Sequence, residues 1–330
     1  MVKEFDIRPQ ELFDRFLRIV EEDNKTFFRD RSRFRELACP ACRSKKIDTA
    51  FQKNGFRYSQ CIKCGCLYLN PRPPAALYRR YYQNSKTSRF WAEKFYPAVE
   101  DKRRRNLYRP KARRVQKLLA RVGSLVDIGS GYGTFLEELQ RTGTAKKYYG
   151  IEPSTHLAEC SRKKGFDIFE TTVETYARHP KIKFDAAVSL ELFEHVVNPF
   201  KFMSSVNAIL KKNGTLILTT LQADGFDIKL LGPYSKSISP PIHINFFTER
   251  SFQHLWRRTG FEIQKVFTPG VLDVDIVRNT SLQYHLSHDP FIEQIIFDET
   301  LSKSFQRFLS NHRLSSHIWI VAKKIREISL

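Results

Sequence analysis

The chain lacks what would place it in a membrane or outside the cell. None of its apolar runs approaches the roughly 20 residues that a bilayer span needs. Its N-terminus, MVKEFDIRPQ, has charges of both signs where a secretory leader would be apolar. A cytoplasmic location is therefore expected, and the six cysteines are expected as thiols or metal ligands rather than disulfides. Internal repeats and low-complexity tracts are absent, so solenoids and tail-like segments are not expected. Acidic residues are scarce over one stretch. Residues 1–122 hold 31 Lys and Arg against 13 Asp and Glu, and the first 36 residues balance at nine each. The excess thus lies in 37–122, and the remainder of the chain is close to neutral despite a net charge of +21. Such a run can be a solvated face. Its size and locality favour an anionic partner: nucleic acid, an anionic lipid surface or a phosphorylated small molecule.

What is present is the material of a folded protein. With 330 residues, 41% of them apolar and 13% aromatic, the chain can bury one large core and a smaller one. Residues 9–33 space Leu12, Phe13, Phe16, Leu17 and Val20 three and four apart, predicting an amphipathic helix or helix pair. A cysteine-bearing segment spans 39–66 and leaves through the proline-rich NPRPPAALYRRYY. A polar, basic stretch with scattered aromatics covers 84–106, and RPKARRVQKLLARVG restarts a helix at Pro110. From 124 onward strands and helices alternate, with SLVDI, KYYGI, FDIFE, FDAAVSL, GTLILTT and FEIQKVF as strands. The helix TERSFQHLWRRTG is closed by Gly260, and SSHIWIVAKK alternates like a last strand. Repeated βα units predict an α/β fold with a parallel sheet covered on both faces. The expected divisions are an N-terminal helical segment (1–36), a zinc ribbon (37–72), a basic helical linker (73–122) and a large domain (123–330). That domain has inserts near 221–247 and 268–313, the second containing a helix at ETLSKSFQRFLSN.

Cys39-Pro-Ala-Cys42 and Cys61-Ile-Lys-Cys64 form a paired CxxC arrangement. Two such turns can set four thiolates in a tetrahedron around Zn²⁺, and Lys45, Lys46 and Lys63 stand near them. A structural zinc ribbon is expected. Iron on the same four sulfurs is the less favoured alternative, and Cys66 and Cys160 are left over.

In VDIGSGYGTF, Gly129, Gly131 and Gly133 follow an apolar run closed by Asp127. Walker phosphate loops carry a lysine after the last glycine, and here Thr134 follows Gly133. The spacing G-x-G-x-G also departs from the dinucleotide G-x-G-x-x-G. Even so, Glu152 ends the next strand where an acid could grip a ribose diol.

Asp127, this glycine spacing, Glu152 and the motif FDAAVSLELFEHVVNP together resemble the class I S-adenosylmethionine-dependent methyltransferases. The likeness covers roughly residues 110–323. It implies a Rossmann-like, seven-stranded sheet with S-adenosyl-L-methionine as methyl donor. By the same resemblance Gly129, Ser130 and Gly131 would lie against the methionine part, and Asp127 would steady the loop or the ammonium. Gly133 would belong to the same loop. Glu152 would take both ribose hydroxyls, Ile151 and Pro153 would flank adenine, and Ser189 and Leu190 would close the pocket below the sulfonium.

Methyl transfer from a sulfonium is an in-line displacement, so the protein positions two reactants and can remove a proton. His195, in Glu194-His195-Val196, and His243, in SPPIHINFFTERSF, are the candidate catalytic residues. The cysteine segment, the core and IHINFF together are similar to methyltransferases of nucleotide-linked sugars. In the C-methylating ones a Glu-His pair follows a tyrosine. Here Ile242 replaces the acid, Pro240 stands near the tyrosine position and Tyr234 lies further upstream. C- and O-methylation both stay open, on a sugar or a polysaccharide precursor. Asp273 and Asp275 are further acceptor contacts to consider. An RNA methyltransferase would also use the zinc segment and basic region. However, no Asn/Asp-Pro-Pro-Tyr/Phe follows the fourth strand, and the Pro-Cys and Thr-Cys pairs of cytosine C5 enzymes are missing. A non-catalytic module would call for a damaged glycine loop, and this one is intact.

Overall fold

The computed structural model describes residues 3–328. A short helix, Glu4–Ile7, precedes the helix Gln10–Phe27, which buries Phe13, Phe16 and Val20 as their spacing predicts. Their partners are Phe90, Phe95 and Val99 of the basic stretch. That stretch is helical throughout: Lys86–Phe90, Tyr96–Arg103 and Arg109–Leu118 are joined by single π-turns at Trp91–Phe95 and Arg104–Tyr108. The five-residue step from Phe90 to Phe95 does not fit an α-turn. The wider first π-turn absorbs it and keeps Phe90, Phe95 and Val99 on one buried face.

The cysteine segment supplies strands β1 (Ile47–Lys53), β2 (Phe56–Cys61) and β3 (Leu67–Leu69), paired antiparallel. The large sheet holds β4 (Val122–Ile128), β5 (Ala145–Ile151), β6 (Asp167–Phe169), β7 (Phe184–Leu190) and β8 (Leu210–Leu221). A two-residue strand, β9 (Asn245–Phe246), then crosses back to the first sheet, setting Leu67 opposite Phe246 and Tyr68 opposite Asn245. The small sheet is therefore completed by a segment that follows β8 by more than twenty residues. Finally β10 (Phe261–Phe267) and β11 (His317–Lys324) return to the large sheet.

The order in that sheet is β10-β11-β8-β7-β4-β5-β6. β11 pairs antiparallel with both neighbours, and β4 to β8 are parallel. The apolar runs of β4 and β7 are buried because helices cover both faces, leaving their carboxyl edge for ligands. The 268–313 insert folds as three helices, Asp273–Tyr284, Pro290–Phe297 and Glu299–Asn311. Among the described residues, no helix is long and apolar enough to cross a membrane.

Candidate active site

β4 must turn within a few residues into the helix Thr134–Thr142, and the turn uses left-handed backbone at Gly129 (φ 81°), Gly131 (φ 54°) and Gly133 (φ 73°). A Cβ on Gly129 would stand 2.9 Å from Leu192, and one on Gly133 would stand 2.7 Å from Ser161. At Gly131 it would meet nothing within 4 Å, so this is the open side of the loop. The N–H groups of Gly129 and Ser130 donate to the Ile151 carbonyl at 2.8 and 3.4 Å, pinning the loop to the end of β5. Glu152 follows at once. Its Oε2 accepts from the Gly131 N–H and its Oε1 from the Ser154 N–H, both at 2.9 Å. Burial raises the Glu152 pKa, and these two N–H groups oppose the rise.

Asp127 lies beside this acid, is 3% exposed and accepts no hydrogen bond from a described residue. Burial, with the charge of Glu152 added, pushes its carboxyl up to about 8. A buried acid without a donor, next to an open glycine, suits the ammonium of an amino-acid ligand. Ser189, at the end of β7, has a buried hydroxyl with no partner, as does Ser130. Leu190 is half-buried beside it. Ile151 packs into the main core at 1% exposure, whereas Pro153 is exposed, so of the two Pro153 has its side chain free. Tyr132, which sequence reasoning passed over, stacks on Tyr96 at 4.3 Å between centroids and 2° between planes, tying the loop to the basic helical run.

The second half of the site lies past β7 and β8. Glu191 leaves β7 with φ 50°, a left-handed conformation unusual for a side chain of its size. Its carboxylate is held by Lys111 Nζ at 2.8 Å, Thr219 Oγ1 at 2.8 Å and His317 Nδ1 at 3.0 Å. Although burial opposes it, the charges of Lys111 and His317 hold its pKa well below the carboxylate range. The signal that could have found Glu191 is its place, an acid at the carboxyl end of a central strand. Glu194, three residues on, accepts from Thr220 Oγ1 at 2.7 Å, and burial with the charge of Glu191 raises its pKa to about 8.

His195 and His243 come together, their ring centroids 4.7 Å apart and their planes at 72°. His243 Nδ1 is 2.6 Å from the Ser237 carbonyl and His195 Nδ1 is 3.1 Å from the Ile242 carbonyl. A carbonyl oxygen only accepts, so each Nδ1 carries the proton and each Nε2 keeps its lone pair. Burial, aided by the neighbouring imidazole, lowers His195 to about 3, and burial lowers His243 to about 4. Both rings are thus neutral at physiological pH. With Glu194 they offer ligand atoms within 4.8 Å of one another, a set that could also take a cation. Asp273 and Asp275 are engaged elsewhere: Asp273 accepts from Ser315, Ser316 and Gln306, and Asp275 from the Glu4 N–H. Buried Asp273 and half-buried Asp275, both spent on internal donors, are not free for an acceptor molecule.

Cys39, Cys42, Cys61 and Cys64 also converge, with one sulfur each inside 4.8 Å of the others. The Cys39–Cys64 and Cys42–Cys61 separations are both 3.5 Å. Four thiol sulfurs at this spacing have the donor type and compactness of a tetrahedral zinc site.

An open glycine turn at the carboxyl edge of β4, an acid after β5 and this strand order define a Rossmann-like methyltransferase fold. The sequence profile described as "Methyltransferase domain" matches residues 101–266, half of the chain, and the chain belongs to that family. It is 30% identical over 113 residues to the mitochondrial ubiquinone biosynthesis O-methyltransferase of Dictyostelium discoideum, covering 30% of this chain and 35% of that protein. It is likewise 30% identical over 107 residues to the ubiquinone biosynthesis O-methyltransferase of Actinobacillus pleuropneumoniae, covering 29% of this chain and 45% of that protein. The chain thus spans less than half the length of these curated relatives. Among solved structures, it is similar to a SAM-dependent methyltransferase from Archaeoglobus fulgidus (TM-score 0.47, 18% identity, 70% of this chain and 100% of that one). It is also similar to the O-methyltransferase of a trans-AT PKS multienzyme of Brevibacillus brevis bound to S-adenosyl-L-homocysteine (TM-score 0.49, 14% identity, 78% of this chain and 83% of that one).

Proposed function

We propose that the protein transfers a methyl group from S-adenosyl-L-methionine to a small anionic acceptor, a nucleotide-linked sugar or a polysaccharide precursor. The observation that carries this reading is the paired imidazoles, His243 and His195, each with a free Nε2, beside the carboxyl edge that carries the glycine loop. The donor supplies an electrophilic methyl on sulfur. Asp127 would take its ammonium, Gly129 to Gly133 its methionine part, Glu152 its ribose hydroxyls, and Pro153 and Ile151 the edge of its adenine. Ser189 and Leu190 would close the floor. In the free protein Glu152 holds the Gly131 N–H, so binding requires it to share its oxygens with the ribose.

In this reading His243 is the general base. Its Nδ1–H is fixed by the Ser237 carbonyl, so the ring offers Nε2 to the proton of an acceptor hydroxyl or acidic carbon as the methyl arrives. His195 orients the same group. Glu194, buried and held by Thr220, supports the wall behind them. The four cysteines would bind structural Zn²⁺ and keep the small sheet rigid. That sheet includes β9, two residues past His243, so the metal would fix the roof over the base. RNA as acceptor finds less support. Part of the basic excess is spent inside the protein, by Arg72 on three acceptors, by Arg104 and Arg109 on Glu138, and by Lys111 on Glu191.

The test is transfer of labelled methyl from S-adenosyl-L-methionine into fractionated cell extract, with and without nuclease. Label in a nuclease-resistant, low-mass anionic fraction is the expected outcome. Label that vanishes with nuclease would replace the sugar reading with the RNA one.

A further inference from the structure

Two arginines beside the acceptor side of the site are left without counter-ions. Arg8 follows the helix Glu4–Ile7, which packs on the helix Tyr96–Arg103, so Arg8 and Arg103 come from segments in contact. The Arg8 guanidinium lies over Phe13 at 5.4 Å from the ring centroid. The Arg103 guanidinium lies between Trp91 at 5.8 Å and Tyr108 at 5.9 Å. Phe13 and Trp91 belong to one apolar cluster that also holds Ile242, the residue before His243. The aromatic floor under the two guanidiniums therefore abuts the loop that carries the proposed base.

Neither arginine has an ion-pair partner among the described residues, and Arg103 Nε is buried with no hydrogen bond. The acids whose charge reaches Arg8 form no ion pair with it among the described residues. Glu4 pairs with Lys236 at 3.7 Å and accepts from Asn279, and Asp227 accepts from Ser235 and Ser237. Glu191 is held by Lys111, His317 and Thr219. The charge of Glu191 bears on both arginines and both imidazoles, and that of Arg8 on His243, in keeping with this packing. Burial disfavours the half-buried Arg8 cation, which an anion would complete; Arg103, although burial opposes it, is favoured as the cation by Tyr108, Tyr96 and Glu191. Two planar guanidinium forks suit an oxyanion better than a single ammonium would.

We propose that Arg8 and Arg103 together hold a phosphate or diphosphate group of the methyl acceptor, placing the rest of that molecule toward His243. This assignment rests on the reading of the His195–His243 space as the acceptor pocket. It adds that the acceptor enters with its anionic end on the N-terminal helices.

The experiment is calorimetric titration of inorganic pyrophosphate into the full chain saturated with S-adenosyl-L-homocysteine. Wild type, Arg8→Gln, Arg103→Gln and, as a control, Arg105→Gln, an exposed residue of the same basic run, would be compared. Loss of one charge-assisted contact should weaken pyrophosphate roughly tenfold or more in each of the first two variants. Arg105→Gln should match wild type, and S-adenosyl-L-homocysteine affinity should be the same in all four proteins, which shows that they are folded. Equal pyrophosphate affinity throughout would overturn the assignment, as would an equal loss in Arg105→Gln, the mark of diffuse attraction to a basic surface. Tighter binding of benzoate than of pyrophosphate would overturn it in favour of a carboxylate acceptor. Turnover of His243→Gln reports separately on the acceptor pocket: normal turnover there would remove the base without touching the anion site.

Discussion

Asp127 makes the most direct residue-scale prediction. Its carboxyl is held near 8 by burial and by Glu152, so at pH 7 it is mostly protonated in the free protein. An ammonium placed against it favours the ionised form, so binding of S-adenosyl-L-homocysteine should release close to one proton at pH 7. Affinity should therefore rise as pH rises from 6 to 8. Titration in buffers of different ionisation enthalpy measures the release, and Asp127→Asn should abolish it. Glu152→Ala removes charge-assisted contacts worth about 1.5–3 kcal/mol and should weaken cofactor binding by roughly ten- to a hundredfold. His243→Gln should leave that affinity unchanged and lower turnover by about 10²–10⁴-fold, the usual worth of a positioned base. Because burial lowers His243 to about 4, the acid limb of kcat/KM should fall near pH 4 rather than near 6.5. A limb at the ordinary histidine value would mean that another group is the base.

At the scale of elements, legibility followed the length and periodicity of each segment. β4, β5, β7, β10 and the helix Glu299–Asn311 stand where their patterns predict, because each is a run long enough for burial to impose a period. The glycine loop was readable too, since its spacing is a local demand of backbone geometry. β9 was not: two residues carry no period, and Asn245–Phe246 becomes a strand because β3 offers it an unpaired edge. That pairing gives the cysteine site a distant consequence. If the four cysteines hold zinc as proposed, Cys61→Ser should lose it, read by elemental analysis, and loosen the segment around His243. Acceptor turnover should then fall while S-adenosyl-L-homocysteine still binds. Unchanged turnover in a zinc-free variant would show that the small sheet holds the roof without metal.

Across the whole molecule, a single buried side chain ties the small sheet to the loop after β7. Arg72 is 3% exposed and donates to the Val197 carbonyl at 2.7 Å, the Ile244 carbonyl at 3.1 Å and Asn245 Oδ1 at 2.6 Å. Arg72→Ala would strand these acceptors and should cost about 3 kcal/mol or more, measured by chemical denaturation. Two half-buried histidines, neutral in the fold, also give stability a pH slope. Their folded pKa values, about 3 and about 4, lie below the unfolded value near 6.5, so the unfolded chain takes up protons first as pH falls. The melting temperature should therefore drop between pH 6.5 and 4, less steeply in His243→Gln.

The sequence by itself determined the βα order, the glycine loop with its two acids and the paired cysteine turns. These are short-range demands: a strand period, a positive φ, a thiol spacing. Only the tertiary structure decided that β11 inserts antiparallel between β8 and β10, that β9 joins the cysteine sheet, and that His195 meets His243 across 47 intervening residues. It also decided which charges of the basic run are consumed. Arg104 and Lys111 find acids in the fold, and among the described residues Arg8 and Arg103 form no ion pair. Charge pairing depends on distance in space, which composition along a chain does not contain.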